Sequence, residues 1–221
     1  MVSQEWSYCK YWKNMCNIIS FLPGKPHTMF NRNTISYSSE LIFLGIFITE
    51  NLAWHVQIHS ICSSMSKAYY IIKSLRDIMS THMLWSIYFA YFRSQLTYGI
   101  LFWGSDGETI KVFLLQEKMI WVLTGVHKHE SRRHIFRKFW IITLTSLYIL
   151  EVLWFIKKCK GHLKQNCRIH DHNTRNKWDL HTRYCNTVLY KWSVTNISIK
   201  LFNKLPVQIK QLDNYKCFKR E

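Results

Sequence analysis

Apolar residues recur along the middle of the chain with the periods of packed helices. Between 49 and 78, Ile58, Ile61, Met65, Ala68, Ile72 and Leu75 follow at steps of 3, 4, 3, 4 and 3. That is the stripe one buried face of an α-helix requires. Thr49 and the acid Glu50 predict a helix start close by. Ser80 or Thr81 opens a second helix, as N-cap, that runs toward Gly99 and Gly104. On it, Ser86, Ala90, Arg93 and Thr97 form a small and polar stripe, beside a lining of Leu84, Tyr88, Tyr91 and Tyr98. Such a stripe suits a core helix with one side near solvent or substrate. After the turn-rich "GSDGET" (104–109), "IKVFLLQEKMIWVLTG" (110–125) predicts a third helix closed by Gly125. Its buried seam is Val112, Leu115, Met119 and Val122. Lys111, Leu114, Lys118 and Trp121 lie on another face. The basic connector 126–139 leads into a fourth helix over about 143–159.

The flanks read differently. "ISYSSELIFLGIFI" (35–48) is β-rich, and Ser38-Ser39-Glu40 offers a turn between two short strands. Gly45, inside the second run, permits a bulge or a close backbone approach. Residues 1–33 read as irregular, with a turn at "LPGKP" (22–26). Beyond 160 the chain becomes polar and basic. It ends on "SIKLFNKLPVQIKQL", an amphipathic stretch broken by Pro206. With only 7 Gly and 3 Pro in 221 residues, sharp turns are few, which favours helices. The expected fold is therefore mainly α with a small N-terminal β-hairpin (α+β): a helical bundle followed by a basic, partly irregular tail. The expected regions are 1–50, 51–160 and 161–221.

Charge narrows the partner. Lys and Arg number 30 against 13 Asp and Glu, a formal net charge of +17. The excess points to a polyanion, nucleic acid or an anionic membrane surface. Two apolar stretches, 83–103 and 139–156, carry one charge each, Arg93 and Glu151. A central Arg costs about 2.5–3.5 kcal/mol on insertion scales. Packed core helices are thus expected there, and a small basic membrane protein is the alternative. The seven Cys are scattered and odd in number, and the N-terminus lacks a secretory pattern. Both suggest reduced thiols in an intracellular compartment, nuclear or cytoplasmic, and not a secreted protein.

Three clusters invite a chemical reading. Cys159, His162, Cys167 and His170 follow a C-x₂-H-x₄-C-x₂-H rhythm. Zinc takes four N/S ligands, commonly as C-x₂-C and H-x₃₋₅-H pairs, and the pairs here are mixed. We read the set as unliganded thiols and imidazoles on a basic loop, and expect no metal. "HKHESRRHIFRK" (127–138) supplies Lys128, Arg132, Arg133, Arg137 and Lys138. If helical, Arg133 and Arg137 share a face at i, i+4, and that face can follow a phosphate backbone. "HDHNTRNK" (170–177) brings His170, Arg175 and Lys177 beside Asn173, Thr174 and Asn176. It reads either as phosphate contacts or as a solvated turn whose polar side chains serve the local backbone. Catalytic Ser/His/Asp or Cys/His sets arise only by free choice among eleven His. No catalytic residue, cofactor or small-molecule substrate is therefore expected.

Six phrases then line up in order: "FLGIFITENLAW" (43–54), "YFAYFRSQLTYGILFWG" (88–104), "LQEKMIWVLTG" (115–125), "LTSLYILE" (144–151), "IHDHNTRNK" (169–177) and "LFNKLP" (201–206). Together they resemble the C-terminal part of a reverse transcriptase from non-LTR retrotransposons of the jockey-like, LINE type. The resemblance covers about residues 11–218. It implies that Phe43, Leu44, Gly45 and Ile46 form a hairpin like the one that grips the primer at the end of the palm. The helices that follow would resemble the thumb and the region beyond it, which hold the template–primer duplex.

The family polymerises with paired aspartates in a Tyr/Phe-Ala-Asp-Asp phrase, placed before the segment with which this chain begins. Asp occurs here only at 77, 106, 171, 179 and 213, and no two acids are adjacent. Two-ion nucleotidyl transfer needs clustered carboxylates. The chain is therefore expected to be a truncated, inactive fragment of an RNA-directed DNA polymerase. Residual non-specific binding of RNA or DNA backbone would run through 127–138, 157–177, Lys111 and Lys118. A domesticated helical interaction module is a further alternative. Some positions depart from the family: Trp121 stands for Arg, Thr49 for Asp, and Trp140 and Thr145 for Gly and Pro.

Overall fold

The computed structural model describes residues 29–30, 33–34, 40–125, 132–170, 175–210 and 212. The chain divides into two compact units, Met1–Ser39 and Glu40–Glu221. In the first, β1 (Met29–Phe30) pairs antiparallel with β2 (Asn33–Thr34). The sequence predicts irregular chain there, so the short ladder is a correction. The expected turn at 22–26 lies outside the described residues.

The second unit is mainly helical and opens with a hairpin, β3 (Glu40–Phe43) and β4 (Ile46–Thr49), in register Phe43↔Ile46. Its turn is Leu44-Gly45, within the Phe43–Ile46 hairpin that the resemblance implies, and Gly45 sits in that turn and not in a bulge. Of the turn expected at Ser38–Glu40, Glu40 opens β3, and Ser38 and Ser39 lie outside the described residues. Leu44 and Gly45 have φ of 50° and 78°. A two-residue type I′ hairpin needs positive φ at both positions. Glycine adopts it freely and leucine at a cost, so local composition alone does not mark this turn. The backbone N–H of Phe47 points away from β3 and donates to Oε1 of the buried Gln57 at 2.9 Å. The Tyr98 hydroxyl donates to the Leu44 carbonyl. Those two bonds fix the hairpin to the helices.

Helix α1 (His55–Leu75) buries Ile58, Ile61, Met65, Ala68 and Ile72 of the predicted seam and leaves its last member, Leu75, half-buried. It begins about one and a half turns after the predicted start. The Thr49 hydroxyl instead closes a local turn, accepting from the Ala53 N–H and donating to its carbonyl, both at 3.0 Å.

The next rod is α2 (Thr81–Ile87), a π-helical turn (Tyr88–Phe92) and α3 (Arg93–Thr97). Ser80 holds its N-cap position with extended backbone but makes no side-chain cap bond. The core face is Leu84, Tyr88, Phe92 and Leu96, a strict repeat of four. In an α-helix, four residues overshoot a turn by about 40°, so three repeats would swing the face about 120° off the core. A π turn takes an extra residue. Here the Arg93 N–H bonds back five residues to Tyr88 and so holds the repeat on one side. The stripe Ser86, Ala90, Arg93 and Thr97 lies on the side nearer solvent.

After Gly99, at φ 64°, a single turn α4 (Ile100–Trp103) buries Trp103, whose indole N–H donates to the Tyr98 carbonyl at 3.1 Å. Helix α5 (Thr109–Thr124) packs on α1 and ends at Gly125, φ 67°. Then come α6 (Arg132–Lys138) and α7 (Leu144–Cys159). Thr143 caps α7 by accepting from the Ser146 N–H at 3.3 Å.

The C-terminal stretch is more ordered than a tail. Two 3₁₀ turns, Lys160–His162 and Asn166–Arg168, lead to α8 (Val188–Lys191), α9 (Val194–Asn203) and α10 (Val207–Lys210). Helix α9 folds back on α7. Ile199 and Phe202 join Leu153, Ile156 and Leu180 in a second apolar cluster. Burying each such side chain contributes about 1.5–3 kcal/mol. The amphipathic stretch is broken at Pro206, as expected, between α9 and α10. Among the described residues, no helix is long and apolar enough to cross a membrane.

Candidate nucleic-acid interface

The expected cationic residues fall on three elements. On α5, Lys111 and Lys118 are exposed and two turns apart, on one side of the helix. Lys111 is engaged: its ammonium pairs with Glu108, three residues earlier, and that hydrogen bond and charge raise its pKa. A phosphate at Lys111 must compete with that carboxylate. Trp121, on the same predicted face, is half-buried against the core.

The second element is α6. Its seven residues are helical, so Arg133 and Arg137 stand one turn apart as the spacing predicts. Arg137 and Lys138 are exposed, and the Lys138 ammonium lies 5.8 Å from the Phe139 ring centroid. Among the described residues, neither cation has a carboxylate within ion-pair distance. Lys128 lies outside the described residues. Helix α6 is seated on α5 through stacked Phe136 and Phe113, ring centroids 6.1 Å apart. Phe113 lies about 200° around α5 from Lys111 and about 140° from Lys118. The face of α5 that carries the lysines is therefore not the face that carries α6, and the two sets do not merge into one stripe.

The third element is the loop around 165–181. Arg175 is exposed, while Lys177 is half-buried with its ammonium 5.2 Å from the Trp178 ring centroid. His170 is exposed, its ring 5.6 Å from that of His181. The loop is knit by amides. Asn166 Nδ2 donates to the Asn176 carbonyl at 2.9 Å, and its Oδ1 sits 3.1 Å from His181 Nδ1. Asn203, from α9, clamps the Leu180 backbone by accepting its N–H at 3.0 Å and donating to its carbonyl at 2.9 Å. Lys210 donates to the Asn203 carbonyl at 2.9 Å and to Asp179 at 3.4 Å. Asn166, Asn176, Asp179, Leu180, His181 and Asn203 line an open hollow of about 550 Å³ that also takes in His170 and Thr182. Asn173 and Thr174 lie outside the described residues. In "HDHNTRNK" it is the main-chain carbonyl of Asn176 that is engaged, accepting from Asn166 Nδ2 and from the Asp179 N–H, while Arg175 and Asn176 are exposed.

Among the described residues, no three His, Cys, Asp or Glu side chains come together as metal ligands. Cys159 is half-buried and Cys167 exposed.

No family model, curated protein or solved structure matches the chain.

Two features of this surface escaped the sequence reading. One is the turn Phe139–Ile141 after α6. There Trp140 adopts φ 52° and is 91% exposed. The Trp140 N–H bonds to the Arg137 carbonyl at 3.2 Å and the Ile141 N–H to the Phe136 carbonyl at 3.0 Å. Ile141 and Phe136 are buried beneath it. The other is Gln116, 1% exposed in the middle of α5. Its Nε2 donates to the Ile142 carbonyl at 3.0 Å and its Oε1 accepts the Leu144 N–H at 2.9 Å. It also reaches the Tyr88 hydroxyl at 3.4 Å. One amide thus joins the π turn, the chain after Trp140 and the start of α7. A Gln among apolar seam positions was the available signal.

The grip-like hairpin presents an apolar edge. Leu44 is exposed and so is Phe43, while Ile46 is half-buried and packs close to Gly99. Leu41 and Ile42 on β3 are exposed as well.

Proposed function

We propose that the chain corresponds to the end of the palm, the thumb and the following region of a non-LTR, jockey-like LINE reverse transcriptase. It does not polymerise by itself, and it binds RNA or DNA backbones without sequence preference. The observation that carries the family reading is the backbone at two departures from the family pattern. Trp140, where the family has Gly, has the left-handed φ of 52° that favours Gly. Thr145, where the family has Pro, is the second residue of α7. First-turn N–H groups have no intrahelical acceptor, so proline is tolerated there. The side chains have changed, while the backbone still has the form the family residues suit.

The binding reading is supported by the charge excess and by Arg137 and Lys138 on α6, which are exposed and free of carboxylates among the described residues. Lack of catalysis follows from the absence of adjacent acids in the sequence. Filter binding of the purified chain to RNA and to DNA at rising salt tests the function. Affinity should fall linearly in log–log form as phosphate counterions are released. No affinity even at low salt would remove the binding function. Metal-dependent primer extension would remove the claim of inactivity.

A further inference from the structure

We infer that the turn after α6 stacks an unpaired base of a single-stranded nucleic acid on Trp140, with Arg137 and Lys138 holding the adjacent phosphates. The inference rests on the nucleic-acid-binding reading above and names the kind of strand.

The aromatic surface is built from two elements. Trp85, on α2, stacks on Phe139 with centroids 5.7 Å apart and an interplanar angle of 30°. Phe89, from the π turn, lies 6.0 Å from Trp85, also at 30°, and is 48% exposed. Trp140 follows Phe139 directly and stands almost wholly in solvent. The turn is rigid, because its backbone bonds to α6 and Gln116 holds the Ile142 carbonyl. A bulky side chain at positive φ is a true outlier, and strain of this kind persists only where the surroundings over-determine it. The ring is thus held out on a fixed support, two residues beyond Lys138 and three beyond Arg137, both exposed.

Aromatic platforms next to a basic track are how single strands are held without sequence preference, since every base has a π-face. A duplex hides those faces in its own stack. It would use Arg137 and Lys138 but leave the ring idle. The cations beside the ring favour a polyanion: Arg137 and Lys138 have no carboxylate partner among the described residues and can neutralise phosphates, and lysine is depleted at protein interfaces.

Fluorescence anisotropy at low salt tests this with labelled oligothymidylate and a DNA duplex of the same length. The proteins are wild type, Trp140→Gly and Trp140→Phe. Trp140→Gly should weaken oligothymidylate binding about 5- to 150-fold, the range that base–aromatic stacking supports. It should leave duplex binding unchanged, and Trp140→Phe should keep most of the affinity. Glycine suits the left-handed backbone, so this variant should melt no lower than wild type, and lost binding would not be lost folding. Equal oligothymidylate binding by Trp140→Gly and wild type overturns the inference, as does an equal loss for single strand and duplex. So does self-association, seen by sedimentation, that Trp140→Gly abolishes while oligothymidylate binding is untouched. Wild-type protein that binds neither probe overturns the underlying binding function as well. Wild type that binds both, with Trp140→Gly unaffected, overturns this inference alone.

Discussion

Replacing Trp140 with Gly should stabilise the protein, an unusual outcome for removing a tryptophan. Three terms decide it. Left-handed backbone costs a residue with a Cβ about 1–2 kcal/mol. Glycine recovers that, but loses about 0.4–1 kcal/mol by enlarging the freedom of the unfolded chain. The ring itself contributes little burial, because Trp140 is 91% exposed. The net gain is about 0.5–1 kcal/mol, equivalent to a rise in Tm of about 1–4 °C for a chain of this length. Urea unfolding, with thermal melting as a second probe, compares wild type, Trp140→Gly and Trp140→Ala. Alanine removes the ring but keeps the Cβ strain, so it should match wild type. The sign of the Gly–Ala difference then tests the backbone. At positive φ, Gly is the more stable variant. At ordinary φ, Gly is less stable than Ala by about 0.5–1 kcal/mol. If Trp140→Gly unfolds at lower urea than Trp140→Ala, the left-handed turn is wrong, and the argument from it to the family falls too.

Gln116→Leu should destabilise the fold by about 2–6 kcal/mol in urea unfolding, since it strands the Ile142 carbonyl and the Leu144 N–H, each costing about 1–3 kcal/mol; a loss under 1 kcal/mol would mean that water or other groups replace the amide. Leu44→Asn should raise stability by about 1 kcal/mol, because Asn tolerates the positive φ of the hairpin turn and Leu44 is exposed; a lower urea midpoint would count against a type I′ turn. Burial raises the pKa of Tyr88, Tyr148 and the Cys62 thiol above their ordinary values of 10.0, 10.0 and 9.0. The folded state then holds protons that the unfolded state releases, so stability is full below those values and declines as pH rises above them. Tyr88→Phe should lessen the slope of stability against pH in alkaline urea titrations, and an unchanged slope would show that Tyr88 is not the source.

The helices were readable wherever a contact is local and periodic. The α1 seam follows from spacing alone, and Gly125 marks the end of α5. In the rod 81–97 the polar stripe Ser86, Ala90, Arg93 and Thr97 is legible from 3-and-4 spacing and lies nearer solvent, as expected. The lining is legible only in part: Leu84 and Tyr88 are buried, whereas Tyr91 and Tyr98 are exposed. The buried set repeats every four residues, a pattern that only a π turn keeps on one face. The hairpin turn at Leu44-Gly45 stands where the resemblance implies one, over Phe43–Ile46; composition alone points instead to Ser38–Glu40, because Leu-Gly carries just half the Asn-Gly signature. The fold-back of α9 was not legible. The bonds that anchor it, Asn203 to Leu180, span 23 residues and leave no period in the sequence. At the surface, the i, i+4 relation of Arg133 and Arg137 is legible, whereas the engagement of Lys111 by Glu108 appears only in the structure. The left-handed backbone at Trp140 was not, since nothing in the local composition predicts it.

That turn sets the fold against the surface. The strain of about 1–2 kcal/mol at a left-handed residue is not offset by packing, because the ring is in solvent. Two accounts remain, and they predict different pairs of results for Trp140→Gly. If the tryptophan is uncompensated drift at a former glycine position, the variant gains stability and binds every strand as before. If the ring stacks bases, the variant gains stability and loses single strands. Strain at one residue would then offset affinity at the same residue, the trade between stability and activity that is common at binding sites. Measuring melting and oligothymidylate affinity on that one variant separates the accounts, because both require the same stability gain and only one requires the loss.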